Sequence, residues 1–128
     1  MPVSNEAQAL GYLLNNTAGI IAITSTRIYF GEIPETVFTL PTINYFLVSA
    51  PNLDTQTERR RYQISCRAKD PFVCLNLAHQ VRAALNNYQG TQSTFDINMI
   101  YYDDTKMIRE DNNIYHCPVD VFITFDRV

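Results

Sequence analysis

From Tyr115 onward, Tyr115, Cys117, Val119, Val121, Ile123 and Phe125 alternate with His116, Asp120, Thr124 and Asp126. Successive strand residues point to opposite faces, so this run describes a long strand with one apolar face. Such a strand needs neighbours in a sheet and a covering layer on its apolar side. A second segment obeys the same rule: in Arg59 to Ala68, Tyr62, Ile64, Cys66 and Ala68 fall on one face and Arg61, Gln63, Ser65 and Arg67 on the other. The second face reads as exposed.

The covering layer is also written in the chain. Asp70 can cap free amides and Pro71 suits the first helical position. Cys74, Leu77, Ala78, Val81, Ala84, Leu85 and Tyr88 then form an apolar helical stripe, with Gly90 as the expected stop. Near the amino terminus, Ser4 is the expected cap of a helix over about 5–15, with Ala7, Leu10, Gly11 and Leu14 on one face. Thr17 to Ile23 suggests another short helical segment, and Arg27 to Phe30 a strand ended by Gly31 and Pro34. Thr42 to Ala50 is apolar on both alternating faces, which predicts a strand that is buried or lies in an interface. Pro51 to Glu58 reads as a long polar hairpin connection. Phe95, Ile97, Met99 and Tyr101 predict another inward face, interrupted at Asp103-Asp104 by a turn or bulge. The strand then continues over Lys106 to Glu110, and Asp111-Asn112-Asn113 makes a tight turn. The expected fold class is α+β: a predominantly antiparallel sheet with two or three helices packed on one face.

A length of 128 residues fits a single domain over 1–128 that buries a core without a staple. The segment Met1 to Glu6 lacks the basic and apolar regions of a signal peptide, and no stretch has the length of a membrane span, so no membrane partner is expected. A net charge of −3 argues against duplex nucleic acid as the main partner, because that binding depends on neutralising many phosphates. Three cysteines without a secretory signal suggest free thiols in a reducing compartment.

Five side chains raise the question of zinc: Cys66, Cys74, His79, His116 and Cys117. Cys74 and His79 would lie about 140° apart around a helix, and His116 and Cys117 would point to opposite faces of a strand. The expectation is therefore buried thiols, two surface histidines and no metal. His116 with Asp120 could suggest an acid–base pair, yet no nucleophile elbow accompanies Ser65. The acidic group Asp103, Asp104, Glu110 and Asp111 lacks the ligand series and glycine of a calcium loop and reads as a solvated turn. No catalytic residue, cofactor or cofactor-binding residue is expected.

The local charge feature that stands out is Arg59-Arg60-Arg61 at the base of the polar loop. Its plain reading is a solvated strand end that discourages edge pairing. Its functional reading is an assembly surface comprising Asn52, Asp54, Gln56, Glu58, Arg59, Arg60 and Arg61, whose alteration spares the fold.

The order of segments carries a resemblance. Arg27-Ile28-Tyr29 leading to Pro34, Leu40-Pro41 opening a strand, and Tyr62-Gln63-Ile64-Ser65-Cys66 running into Ala68-Lys69-Asp70-Pro71 resemble the tail-completion (tail-terminator) proteins of long-tailed bacteriophages. Val81-Arg82-Ala83-Ala84-Leu85, Tyr102-Asp103-Asp104-Thr105, and Tyr115-His116 before Pro118-Val119-Asp120-Val121 agree with it. Arg67 departs from that pattern, which would place a bulky apolar or aromatic residue there. The resemblance implies a small α+β virion protein that forms a six-fold ring at the head-proximal end of the tail tube, stops tube growth and presents the surface joining tail to head. Its implied partners are copies of itself, the tail-tube protein and a head-completion or connector protein, with DNA only passing through. The implied location is the virion neck, after assembly in the host cytoplasm. Two alternatives stay open: a tail-tube subunit or other neck protein, and a small-molecule-binding α+β domain of the cytosol.

Overall fold

The computed structural model describes residues 5–34, 36, 39–51, 56–110 and 113–126. The elements run α1 (Glu6–Asn15), α2 (Ala18–Thr24), β1 (Ile28–Phe30), β2 (Thr42–Ser49), β3 (Thr57–Ala68), α3 (Pro71–Leu85), β4 (Gly90–Gln92), β5 (Phe95–Ile97), β6 (Met99–Thr105), β7 (Ile108–Glu110) and β8 (Ile114–Asp126). Six strands form one sheet in the order β1-β2-β3-β8-β6, with β7 also on β8, and β4 pairs with β5 in a separate ribbon. All neighbours in the large sheet are antiparallel except β1 and β2. The α+β fold class read from the sequence therefore stands.

The two alternating segments pair with each other. Cys66 lies opposite Cys117, Ile64 opposite Val119 and Tyr62 opposite Val121, so their apolar sides make one continuous surface. Helix α3 lies across it, with Cys74, Leu77, Ala78, Val81 and Leu85 buried. Fully burying a side chain of the Leu or Val kind contributes about 1.5–3 kcal/mol, which makes this layer the main source of stability. Asp70 caps the helix as expected: its Oδ1 accepts from the amides of Phe72 at 2.8 Å and Val73 at 3.3 Å.

Several boundaries differ from the sequence reading. Asn5 caps α1, its side-chain oxygen accepting from the Gln8 amide at 2.8 Å, and Ser4, the expected cap, lies outside the described residues. Gly11 is buried in α1, and a Cβ at this position would run into the Tyr45 hydroxyl. Helix α3 ends at Leu85 rather than at Gly90: Asn87 takes a left-handed conformation (φ 65°) and its amide donates to the Ile100 carbonyl, while Gly90 sits in β4. The chain leaving the helix is captured by β6, which stops it earlier than the glycine would.

The alternation expected through Phe95, Ile97, Met99 and Tyr101 slips at Asn98. Ile97 and Ile100 are buried, whereas Tyr101 is exposed, because β5 belongs to the small ribbon and β6 to the large sheet. The expected irregularity at Asp103 is a bulge in β6 against Asp120. Strand β2 is covered only over its first half: Thr42 to Tyr45 are buried and Leu47 and Val48 are exposed. Thr57 and Glu58 belong to β3, not to the connection before it.

All three cysteines are buried and unpaired. Burial pushes the Cys66 thiol well up and the Cys74 thiol up to about 12. Thiolate is the reactive form, so labelling of the native protein with a thiol reagent is expected to be slow and to become complete on unfolding. Fast native labelling of all three would contradict the burial.

Candidate functional site

The helices cover one face of the sheet and leave the other without a second layer of described residues. This open face carries Asn44 and Phe46 of β2; the odd-numbered side chains from Arg59 to Arg67 of β3; and His116, Asp120, Phe122 and Thr124 of β8. Period-two alternation builds it: a chain that buries every second side chain under α3 must present the others here.

Two charged clusters order this face. In the first, the Arg59 guanidinium lies 4.1 Å from the centre of the Phe122 ring, and Arg61 is 5.7 Å from the same ring. Arg61 Nη2 donates to Asp120 Oδ2 at 2.7 Å and comes within 3.6 Å of Asp103 Oδ2. The hydrogen bond to Asp120 and the charge of that carboxylate raise the Arg61 pKa and keep it cationic. In the second, Arg67 Nε donates to Glu110 Oε1 at 3.0 Å and Arg67 Nη1 to Asn44 Oδ1 at 2.6 Å. Arg67 therefore ties β2, β3 and β7 together through polar contacts, in the place where the resemblance would have an apolar or aromatic residue.

The seven residues expected to form one assembly surface are divided by the structure. Asn52 and Asp54 lie outside the described residues. Gln56 is exposed just before β3. Arg59 and Arg61 share the open face, but Glu58 and Arg60 point to the helix face. There Arg60 Nη1 binds the Glu6 carboxylate at 2.9 and 3.0 Å. The Tyr62 hydroxyl also donates to Glu6, at 3.3 Å. The arginine triplet is thus two open-face cations flanking one structural cation. Residues 59 to 61 lie in a strand, and alternation alone separates the middle one from its neighbours. Phe122 and Asp103 complete the open-face cluster, and only the pairing register reveals them.

Two further sequence readings are corrected here. Ser65 was expected on an exposed face and is only 1% exposed, accepting from Gln63 Nε2 at 2.8 Å. His116 was expected at the surface and is buried, whereas His79 is exposed. Asp120 is engaged by Arg61, not by His116. Among the described residues, no three His, Cys, Asp or Glu side chains come together as metal ligands, and no helix is long and apolar enough to cross a membrane.

His116 makes a testable pH contribution. Burial lowers its pKa from 6.5, the nearby Arg67 lowers it further, and Glu110 opposes them. The folded state thus resists a proton that the unfolded chain accepts below about pH 6.5, so stability falls as pH drops through that range. A His116→Gln variant should show a smaller loss of melting temperature between about pH 7.5 and about pH 5.5 than the wild type. An equal loss in the two proteins would remove His116 from the account.

Comparison with known proteins locates the fold. No protein-family model matches the sequence, and no curated protein matches it. Among solved structures, a chain from the virion of a native gene transfer agent (GTA) particle is similar, with a TM-score of 0.74 and 14% identity over 91% of each chain. A second solved chain has a TM-score of 0.57 and 10% identity, covering 97% of this chain and 99% of the other. At these identities the likeness is one of fold.

Proposed function

We propose that this chain is a structural protein of a phage-like virion: the subunit of a ring that ends the tail tube and offers the surface to which the head joins. The observation that carries the virion assignment is the likeness in fold, over 91% of both chains, to a component of a gene transfer agent virion. The position at the tube end rests on the resemblance of the order of segments to tail-terminator proteins. An open sheet face set with Arg59, Arg61, Asp103 and Asp120 suits contact with a charged protein partner, since complementary charges steer encounter and fix register. A subunit with a net charge of −3 would also let DNA pass without holding it.

Under this reading the partners are copies of the chain in a six-fold ring, the tail-tube protein, and a head-completion or connector protein. The test is electron microscopy of purified protein mixed with tail tubes from an extract lacking it. Closed rings at one tube end are expected. Indefinite stacks would instead indicate a tube subunit. Protein that stayed monomeric and left the tube ends bare would overturn the proposal.

A further inference from the structure

Two apolar patches are set apart along the direction of β2, and the exposed charges beside them differ in sign. At one end, the first turns of α3 expose Phe72 (83%), Val73 (37%) and Leu75 (38%). At the other, Ala7, Phe30 and Tyr45 line a groove of about 220 Å³ at the junction of α1 with β1 and β2, edged by Asn5 and Gln8. Pro41, beside Val73 in a second surface hollow, and Tyr45 mark the two levels along β2. The four intervening steps separate them by about 13 Å at ~3.3 Å per residue.

Phe72 is not held out by any need of the helix it begins. Asp70 already satisfies the first amides of α3, and the buried stripe starts at Cys74. A phenylalanine left in water beside two further exposed aliphatic side chains forms the kind of patch that marks a contact site. The groove is complementary in character, with an aromatic floor where Phe30 and Tyr45 stand 5.3 Å apart. Exposed Lys69 adjoins the Phe72 end, and exposed Glu32 follows Phe30 at the groove end. Among the described residues neither is in an ion pair. Asp70 is occupied with helix amides, Glu6 with Arg60 and Arg27 with the Pro41 carbonyl, which leaves Lys69 and Glu32 as exposed described charges beside the two patches.

We infer that Phe72 of one copy seats in the Ala7–Phe30–Tyr45 groove of the next, with Lys69 facing Glu32 across the contact. The inference rests on the ring reading and supplies its subunit interface. Two different patches on one molecule make a head-to-tail contact, which closes into a ring when the rotation per step permits and otherwise runs on as a filament. An aromatic anchor in a pocket, rimmed by an opposite charge pair, is also the usual centre of binding energy in an interface.

Paired cysteines test it directly. In Phe72→Cys with Gln8→Cys, oxidised glutathione should join neighbouring copies on tube ends, forming one protein disulfide and releasing reduced glutathione. The three native thiols are buried and should not compete. A ladder of covalent multimers is expected from the double variant alone. A covalent dimer from Phe72→Cys by itself would mean a two-fold contact and would overturn the inference. Rings that form normally yet give no ladder would overturn it while sparing the ring reading; absence of rings from wild-type protein would sink both. A charge exchange provides an independent arm. Lys69→Glu should weaken ring formation several-fold, and adding Glu32→Lys should restore it. A melt close to wild type is expected for Phe72→Ser because the side chain is so exposed, so loss of rings in that variant would report the contact rather than the fold. Intact rings in Phe72→Ser would count against it.

Discussion

Arg60→Gln is expected to lower the melting temperature by about 10 °C, because it leaves the Glu6 carboxylate without its cation. The Glu6 side chain is 6% exposed and its oxygens accept from Arg60 and the Tyr62 hydroxyl. Removing one partner of a buried pair costs about 3–5 kcal/mol. The Arg60 side chain keeps 31% of its exposure, so water relieves part of this loss and the lower end, about 3 kcal/mol, is the better expectation. Adding Glu6→Gln should recover much of the loss, since two neutral amides carry no unpaired charge. A thermal melt of the single and double variants decides it. An Arg60→Gln melt matching wild type would show that the pair contributes nothing. The expectation that altering the triplet spares the fold is accordingly kept for Arg59 and Arg61 and not for Arg60.

The second large effect should appear in assembly rather than in stability. Arg59→Ser with Arg61→Ser removes both cations from the open-face cluster but leaves α1, α3 and the Glu6–Arg60 pair in place. Melting should fall by less than in Arg60→Gln, since Arg59 is exposed and Asp120, at 18% exposure, is better solvated without its cation than Glu6 at 6%. The yield of joined particles in an extract lacking the wild-type protein should fall by about tenfold, with the remaining activity weaker still at high salt. An unchanged yield would assign these arginines to a solvated strand face with no partner. If melting fell as far as in Arg60→Gln, the Phe122 and Asp120 contacts would be part of what holds the sheet.

Much of the architecture was legible because it depends on local rules. The inward series Tyr62, Ile64, Cys66 and Ala68 follows from strand alternation, and the start of α3 from an aspartate followed by proline. The readings that failed share a cause. Gly90 is a good helix stop, but Asn87 reached a carbonyl of β6 first. Met99 and Tyr101 continue a pattern that the chain abandons when it passes from one sheet to another. Ser65 and His116 alternate outward, yet Gln63 reaches Ser65, and His116 is buried on the same face beside Arg67. In each case a specific contact that the residue pattern does not encode outweighs a preference worth about 1 kcal/mol or less.

The arginine triplet shows where the two kinds of information part. That Arg60 faces away from Arg59 and Arg61 is determined by the sequence, since adjacent strand residues cannot share a face. Which face holds a carboxylate for Arg60, and which holds Phe122, Asp103 and Asp120 for its neighbours, is decided only in three dimensions. Glu6 approaches Arg60 because the buried Ala9, Leu10 and Leu14 seat α1 against β1, α2 and α3, and Asp120 approaches Arg61 because β3 and β8 pair in one register. Side-chain direction is a property of a few bonds. The partner met in that direction is set by how distant elements pack around a shared core.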